Sequence, residues 1–431
     1  MHLEIDKTFD MCKNIIHVEK GVVDMRYLYK IFHENSSKEF QDIYEKRFDS
    51  DSAVHVGLKI KPMNQPNTYE LYYVPTNEML KNISKLHKVS RNFNSLFDKL
   101  PPVAQKQFIN ECLVEELYST NDLEGIKSTK EEIARSTKNI KLNKSSKKRF
   151  ESMIKSYMRL LNNNIQLPKR PQDIRDIYDD ITNSEIEEQE LPDGDIFRKE
   201  TTYVLKKSGS GKVIHQGIVP ESNIIHEIEQ LLNFLNDNDD IPMLIKIAIG
   251  HYFFGYIHPF YDGNGRTSRF ISSMYLSEVL GDISTLSLSR GCNKHRTKYL
   301  SAFEFTNSIK SRGEMNGFIE IFLEIIIQAL VEMNAELKEK KELLSIALNK
   351  LRDEPKLKQK TGNYNDIMFV LAQNHFFDSS NGLTIKELSE IFSKSEATMR
   401  KLIRELLELS LIEQQGERPA FYCIKQQYFE E

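Results

Sequence analysis

Between two apolar helical runs, MLIKIAIGHYFFGYI and SRFISSMYLSEVL, the chain turns through HPFYDGNGRTSR, His258 to Arg269, and this turn leaves few folds open. Gly263, Asn264 and Gly265 form a turn entering the next helix, expected to begin near Thr267. Their small size lets backbone N–H groups approach an anion at the helix's positive end. Arg266 and Arg269, at i and i+3, lie on neighbouring positions of that helix and can grip phosphate oxygens with forked donors. Asp262, just before the turn, is a hard carboxylate suited to holding Mg²⁺ against phosphates. His258 titrates near neutral pH, and beside a bound phosphate it could take the proton from an attacking hydroxyl. Pro259 and Phe260 are expected to anchor the loop in the core.

Other readings of the same residues fail on spacing. A calcium loop counted from Asp262 would need an acid or amide at its fifth position, glycine at its sixth and glutamate at its twelfth, where Arg266, Thr267 and Ser273 stand. The chain holds neither a G-x-x-x-x-G-K-[ST] loop nor an H-E-x-x-H pair.

Around the turn, 431 residues imply two or three domains, and three are expected. Hydrophobic residues at 39% with 28% charged residues suit a folded globular chain. No window approaches the ~18–20 apolar residues a membrane span needs, and MHLEIDKTFDMCKN lacks a basic-then-apolar leader pattern, so a cytoplasmic location without a membrane partner is expected. Cys12, Cys112, Cys292 and Cys423 never pair as C-x-x-C and are read as buried free thiols. A net charge of −4 confines any nucleic-acid contact to a local patch.

The expected organisation is a small N-terminal α+β module over 1–80, with β-prone runs at Ser52–Ile60 and Tyr69–Val74, a helical segment over 81–165, a catalytic domain over 166–345 and a C-terminal domain over 361–431. The basic run at 127–150 reads as a solvated helix face and linker. Two β-prone runs flanking Ser208–Gly211 read as a hairpin with a flexible tip. Helix, helix, helix and strand after residue 361 is the order of a winged helix.

The segment His258–Arg269 resembles the Fic motif, H-P-F-x-[DE]-G-N-G-R-x-x-R, at every specified position, and the resemblance covers roughly 110–330. It implies a mainly α protein: a fido (Fic) helical core with a β-hairpin flap, beside the N-terminal module and the winged helix. It also implies a protein adenylyltransferase moving AMP from ATP to a Ser, Thr or Tyr hydroxyl. His258 would be the general base and Asp262 the Mg²⁺ ligand. Gly263, Asn264 and Gly265 would cradle the phosphates, with Arg269 on the γ-phosphate and Arg266 as a further phosphate contact. The flap residues Val213, Ile214, His215, Gln216 and Gly217 would take an extended segment of the target protein by strand addition.

Similar proteins carry an inhibitory [ST]-x-x-x-E-[GN] pattern, matched here by Thr120, Glu124 and Gly125 at the end of a helix. The resemblance implies that Glu124 pairs with Arg269 and keeps ATP in an unproductive pose; it leaves open that Glu124 also positions water to remove AMP. The target could be this protein itself, and a homodimer is left open. DNA is a second partner to test, through 383–411 with Arg400, Lys401 and Arg404; the competing reading is a DNA-binding regulator whose fido domain senses nucleotide or modification state.

Overall fold

The computed structural model describes residues 26–141, 149–162, 164–183, 185–206, 211–358, 360, 362–377 and 382–430. The chain divides into two compact units, Met1–Pro75 with Glu304–Gly317, and Thr76–Phe303 with Phe318–Glu431. The architecture is mainly α, with three small antiparallel strand pairs among the described residues.

The first unit, described from Arg26 onward, combines the helices Leu28–Ile31 and Ser37–Phe48 with paired strands Val54–Ile60 and Tyr69–Tyr73. Ser36 starts the longer helix with a capping box to Glu39, satisfying two otherwise orphaned N–H groups. Leu28, Ile31, Phe40 and Tyr72 form its core. The segment Glu304–Gly317, expected within the catalytic domain, joins this unit instead. Glu314 accepts the Leu28 amide at 2.7 Å and pairs with Arg47 at 2.7 Å, and both side chains of the ion pair are buried. Asn316 exchanges two hydrogen bonds with the Val74 backbone.

In the second unit, the expected helices form at Asn77–Asp98, Pro102–Glu124, Lys130–Lys141, Glu151–Leu161 and Pro171–Thr182, followed by Glu221–Asn236, Met243–Ile257 and Asn264–Leu280. Met243–Ile257 is buried nearly all round, as its unbroken apolar run requires. Asn264–Leu280 begins three residues earlier than expected, because Gly263 already caps it. The hairpin pairs Tyr203–Leu205 with Val213–Gln216; the expected tip at Ser208–Ser210 lies outside the described residues. The helix Asn316–Asp353 runs past the boundary expected at 345. Three helices, Tyr364–Phe377, Ile385–Phe392 and Glu396–Glu408, precede the strand pair Ile412–Gln415 and Phe421–Ile424.

Residues 142–148 of the basic run and Cys12 also lie outside the described residues. Cys112 and Cys292 are buried, whereas Cys423 is partly exposed, at variance with the expectation of a buried thiol. Among the described residues no helix is long and apolar enough to cross a membrane.

Candidate active site

His258 ends the Met243–Ile257 helix in a left-handed conformation, φ 54°. A residue with a side chain rarely adopts this conformation, so the surroundings must hold it there. They do so through carbonyls. The Arg198 guanidinium donates to the His258 carbonyl at 2.9 Å, and the Arg198 amide donates to the Pro259 carbonyl at 3.3 Å. Phe260 is fully buried and its ring stacks on Tyr178 with centroids 3.8 Å apart, so the loop is anchored in the core as expected. The imidazole of His258 is half-buried, with Nδ1 3.3 Å from the Gly255 carbonyl. Burial, with His215 and Arg198 nearby, pushes its pKa down to about 3, so it is neutral at physiological pH and able to accept a proton.

The turn has its own internal lacing. Gly263 takes φ 82°, and an added Cβ there would come within 3.0 Å of both Thr182 and Tyr178, so the position needs glycine for conformation and for space. Asn264, expected to meet nucleotide, instead folds its amide back on the loop: Oδ1 accepts from the Phe260 amide at 2.9 Å and Nδ2 donates to the Phe260 carbonyl at 2.7 Å. Its side chain is therefore a loop clamp. Arg266 is likewise diverted. It is fully buried, donates to Glu185 at 3.2 Å and reaches Asp262 at 3.4 Å, so it backs the loop rather than standing beside Arg269 as a second open cation.

Asp262 remains half-exposed at the mouth of the turn, with Oδ1 held by the Gly263 amide at 2.6 Å. Among the described residues no cluster of three His, Cys, Asp or Glu side chains could hold a metal by itself. A lone accessible carboxylate fits Mg²⁺, which takes one or two protein carboxylates and completes its shell with substrate oxygens and water.

The helix Pro102–Glu124 brings in the other half of the site. Proline starts it, Gly125 ends it at φ 80°, and Glu116, Thr120 and Glu124 recur at four-residue spacing on neighbouring turns of one face. Arg269 donates from Nε to the Thr120 hydroxyl at 2.9 Å, and from its Nη2 to the Thr120 carbonyl at 3.1 Å and to Glu124 at 2.6 Å. Burial works against the charge of Arg269, but the Glu124 carboxylate more than offsets it, and the guanidinium is held more firmly protonated than usual. The same carboxylate lies so close to Gly265 that a methyl group there would collide with it. Thus Thr120, Glu124, Gly265 and Arg269 are brought together from distant segments. Glu116, two turns back, is fully buried and accepts the Ser289 amide at 2.9 Å; burial pushes its pKa up to about 7.

In the hairpin, His215 does not face outward as a docking residue. It is buried, with Nε2 2.6 Å from the Tyr256 carbonyl, and burial pushes its pKa down to about 4. Within its two strands, Tyr203, Leu205 and Gln216 are exposed. Sequence reasoning missed Arg198, Glu185, Tyr178 and Glu116. Each acts through a partner far away in the chain, and nothing in its local sequence marks it.

Residues 168–276 match the Fic/DOC family. Among solved structures, a Fic family protein from Desulfovibrio desulfuricans G20 is similar at 15% identity and TM-score 0.49, over 82% of this chain and 98% of that one. Fic-1 (residues 134–508) from C. elegans is similar at 16% identity and TM-score 0.41, over 60% of this chain and 74% of that one. A Fic domain containing signaling protein from Bacteroides thetaiotaomicron VPI-5482 is similar at 17% identity and TM-score 0.40, over 61% and 97%.

Proposed function

We propose that the Fic/DOC family domain at 168–276, one of a family whose members commonly transfer nucleoside monophosphates to proteins, transfers AMP from ATP to a Ser, Thr or Tyr hydroxyl of a protein. One observation carries the reading: a carboxylate from another helix, Glu124, bonds to Arg269 and lies against Gly265, so the first turns of the Asn264–Leu280 helix already hold one oxyanion where phosphate oxygens would sit. Phosphate oxygens are the anions this seat would hold in turnover, on Arg269 and the turn's backbone amides. The neutral His258 imidazole takes the proton of the target hydroxyl as that oxygen bonds to the α-phosphorus and pyrophosphate leaves. Asp262 would hold Mg²⁺, which when bound neutralises phosphate charge. Glu124, while it occupies the seat, acts as a brake.

The test compares E124G with the double variant E124G/H258A, using ATP labelled in its α-phosphate and in its adenine. Label of both kinds should appear on protein with E124G and vanish with the double variant, whose circular dichroism should be unchanged. Equal labelling by both would refute the assignment of the base. Stronger labelling from UTP labelled in its α-phosphate and uracil than from labelled ATP would replace AMP by another nucleotide.

A second reading has a narrower support. On the Glu396–Glu408 helix, Met399, Ile403 and Leu406 face inward while Arg400, Lys401 and Arg404 are exposed. This face suits phosphates of duplex DNA. Triple alanine substitution of those cations should lower DNA affinity and its salt dependence; equal binding by wild type and variant would remove this reading.

A further inference from the structure

Arg198 is fully buried, and the contacts described for its guanidinium are to backbone carbonyls. Nε donates to His258 at 2.9 Å, Nη1 to Glu200 at 2.6 Å and Nη2 to Ile218 at 2.9 Å. Glu200 and Ile218 lie just outside the two hairpin strands, Tyr203–Leu205 and Val213–Gln216, one at each root. Gly217, between strand and root, presses so closely on the guanidinium that a methyl group would collide with it. One planar cation therefore joins three chain segments at a single point, alongside bonds that link them in pairs, such as the Ile218 amide to the Ile257 carbonyl at 3.1 Å and the Glu200 amide to the Tyr261 hydroxyl at 2.9 Å.

Burying a guanidinium this way is costly, and burial indeed pulls its pKa down to about 10, with Tyr261 and Asp193 opposing the shift. A role for this arrangement follows from what it joins. The carbonyl of His258 belongs to the residue held left-handed, so the bond from Arg198 bears directly on where the imidazole points. The hairpin roots decide where a strand added to the flap would lie. Arginine's rigid fork can fix three acceptors in one plane, whereas a lysine ammonium offers a single point charge.

We propose that Arg198 is a positioning residue that sets the register between the hairpin that receives the target segment and the imidazole that takes its proton. The proposal rests on the function proposed above. It predicts a defect in aligning the protein substrate with His258, with the nucleotide seat at Gly263–Gly265 and Arg269 unaffected, because no contact described for Arg198 touches those residues.

The experiment introduces R198K and R198M into the full-length E124G variant. Dissociation constants for a fluorescent ATP analogue should stay within about twofold of E124G, while kcat/KM for protein labelling falls roughly tenfold in R198K and further in R198M, an effect of a mispositioned reacting pair. In parallel, histidine-selective NMR, with H258A assigning the His258 signal, should show that imidazole titrating at higher pH in R198M than in E124G. This second measurement needs no catalysis, so it judges the role of Arg198 even where E124G transfers nothing and the proposed function itself falls. An R198M protein with an unshifted His258 signal, with undiminished labelling, or with ATP affinity lost in proportion to labelling would overturn the proposal.

Discussion

Glu124 and Arg269 lie 145 residues apart in the chain, yet their side chains meet at 2.6 Å. Arg269 is almost wholly buried and Glu124 is about a quarter exposed, so the pair is shielded far better than a surface salt bridge. Removing one partner of a shielded pair leaves an uncompensated charge, a loss of ~3–5 kcal/mol where burial is complete. E124G should therefore melt at a lower temperature than wild type without nucleotide, and ATP should raise its melting temperature more than it raises that of wild type. Labelling from ATP should increase by at least about tenfold, the factor that corresponds to ~1.4 kcal/mol. Scanning calorimetry and labelled-ATP incorporation check the two arms.

Thr120 meets the same guanidinium through its hydroxyl, which accepts from Arg269 Nε at 2.9 Å. T120V keeps the shape and removes that acceptor, a change of about 1.5–3 kcal/mol for a bond to a charged group. The Glu124 contact would survive but orient the guanidinium less firmly. Basal labelling by T120V should fall between wild type and E124G. A rate equal to wild type would mean that the hydroxyl only completes the buried hydrogen bonding of Arg269.

The pH dependence of transfer follows from the state of His258. Burial, His215 and Arg198 depress its pKa to about 3, so the folded protein carries the neutral imidazole across the neutral range. A base poised near the usual histidine value would lose activity as pH falls through 6.5. Here, labelling by E124G should stay level from about pH 8 to pH 5.5, as far as this one group governs it. Rate profiles at saturating ATP test this, and an acid limb centred near 6.5 would show an ordinary imidazole.

How much of this could be read from the chain depended on the distance over which each feature is encoded. The turn His258–Arg269 was legible because its residues are contiguous: a glycine that must adopt φ 82°, an acid before it and cations after it. The helices around it were legible from apolar spacing. Thr120 and Glu124 were found through a family pattern, although their contact with Arg269 depends on packing that no local pattern encodes. For Arg266 and Asn264, charge and polarity in the sequence suggest a phosphate contact, while their partners within the fold, Glu185 and the Phe260 backbone, leave no mark in the spacing. The transfer of Glu304–Gly317 to the N-terminal unit rests on Glu314 reaching Arg47, 267 residues away, and spacing carries no trace of it.

Two imidazoles outside the proposed chemistry give the stability a direction with pH. His251 is buried, with Nδ1 2.8 Å from the Ser272 hydroxyl and Nε2 2.7 Å from the Tyr299 hydroxyl; its pKa is depressed to about 3 by burial first and Arg269 second. His215 is depressed to about 4. In the unfolded chain both return to about 6.5. Above that value neither state binds the protons and the groups are neutral to stability. As pH falls below it, the unfolded chain binds protons that the folded chain refuses, so stability declines until pH reaches the folded values. Each group contributes a slope of at most ~1.4 kcal/mol per pH unit. The buried Glu116 carboxyl, its pKa pushed up to about 7, works in the opposite direction over this range, so the comparison is between variants: in urea denaturation at pH 7.5, 6, 5 and 4.5, H251Q, measured against its own value at pH 7.5, should lose less stability with acidity than wild type. Wild type and H251Q changing in parallel between pH 6.5 and 4.5 would mean that the His251 ring is protonated in the folded protein.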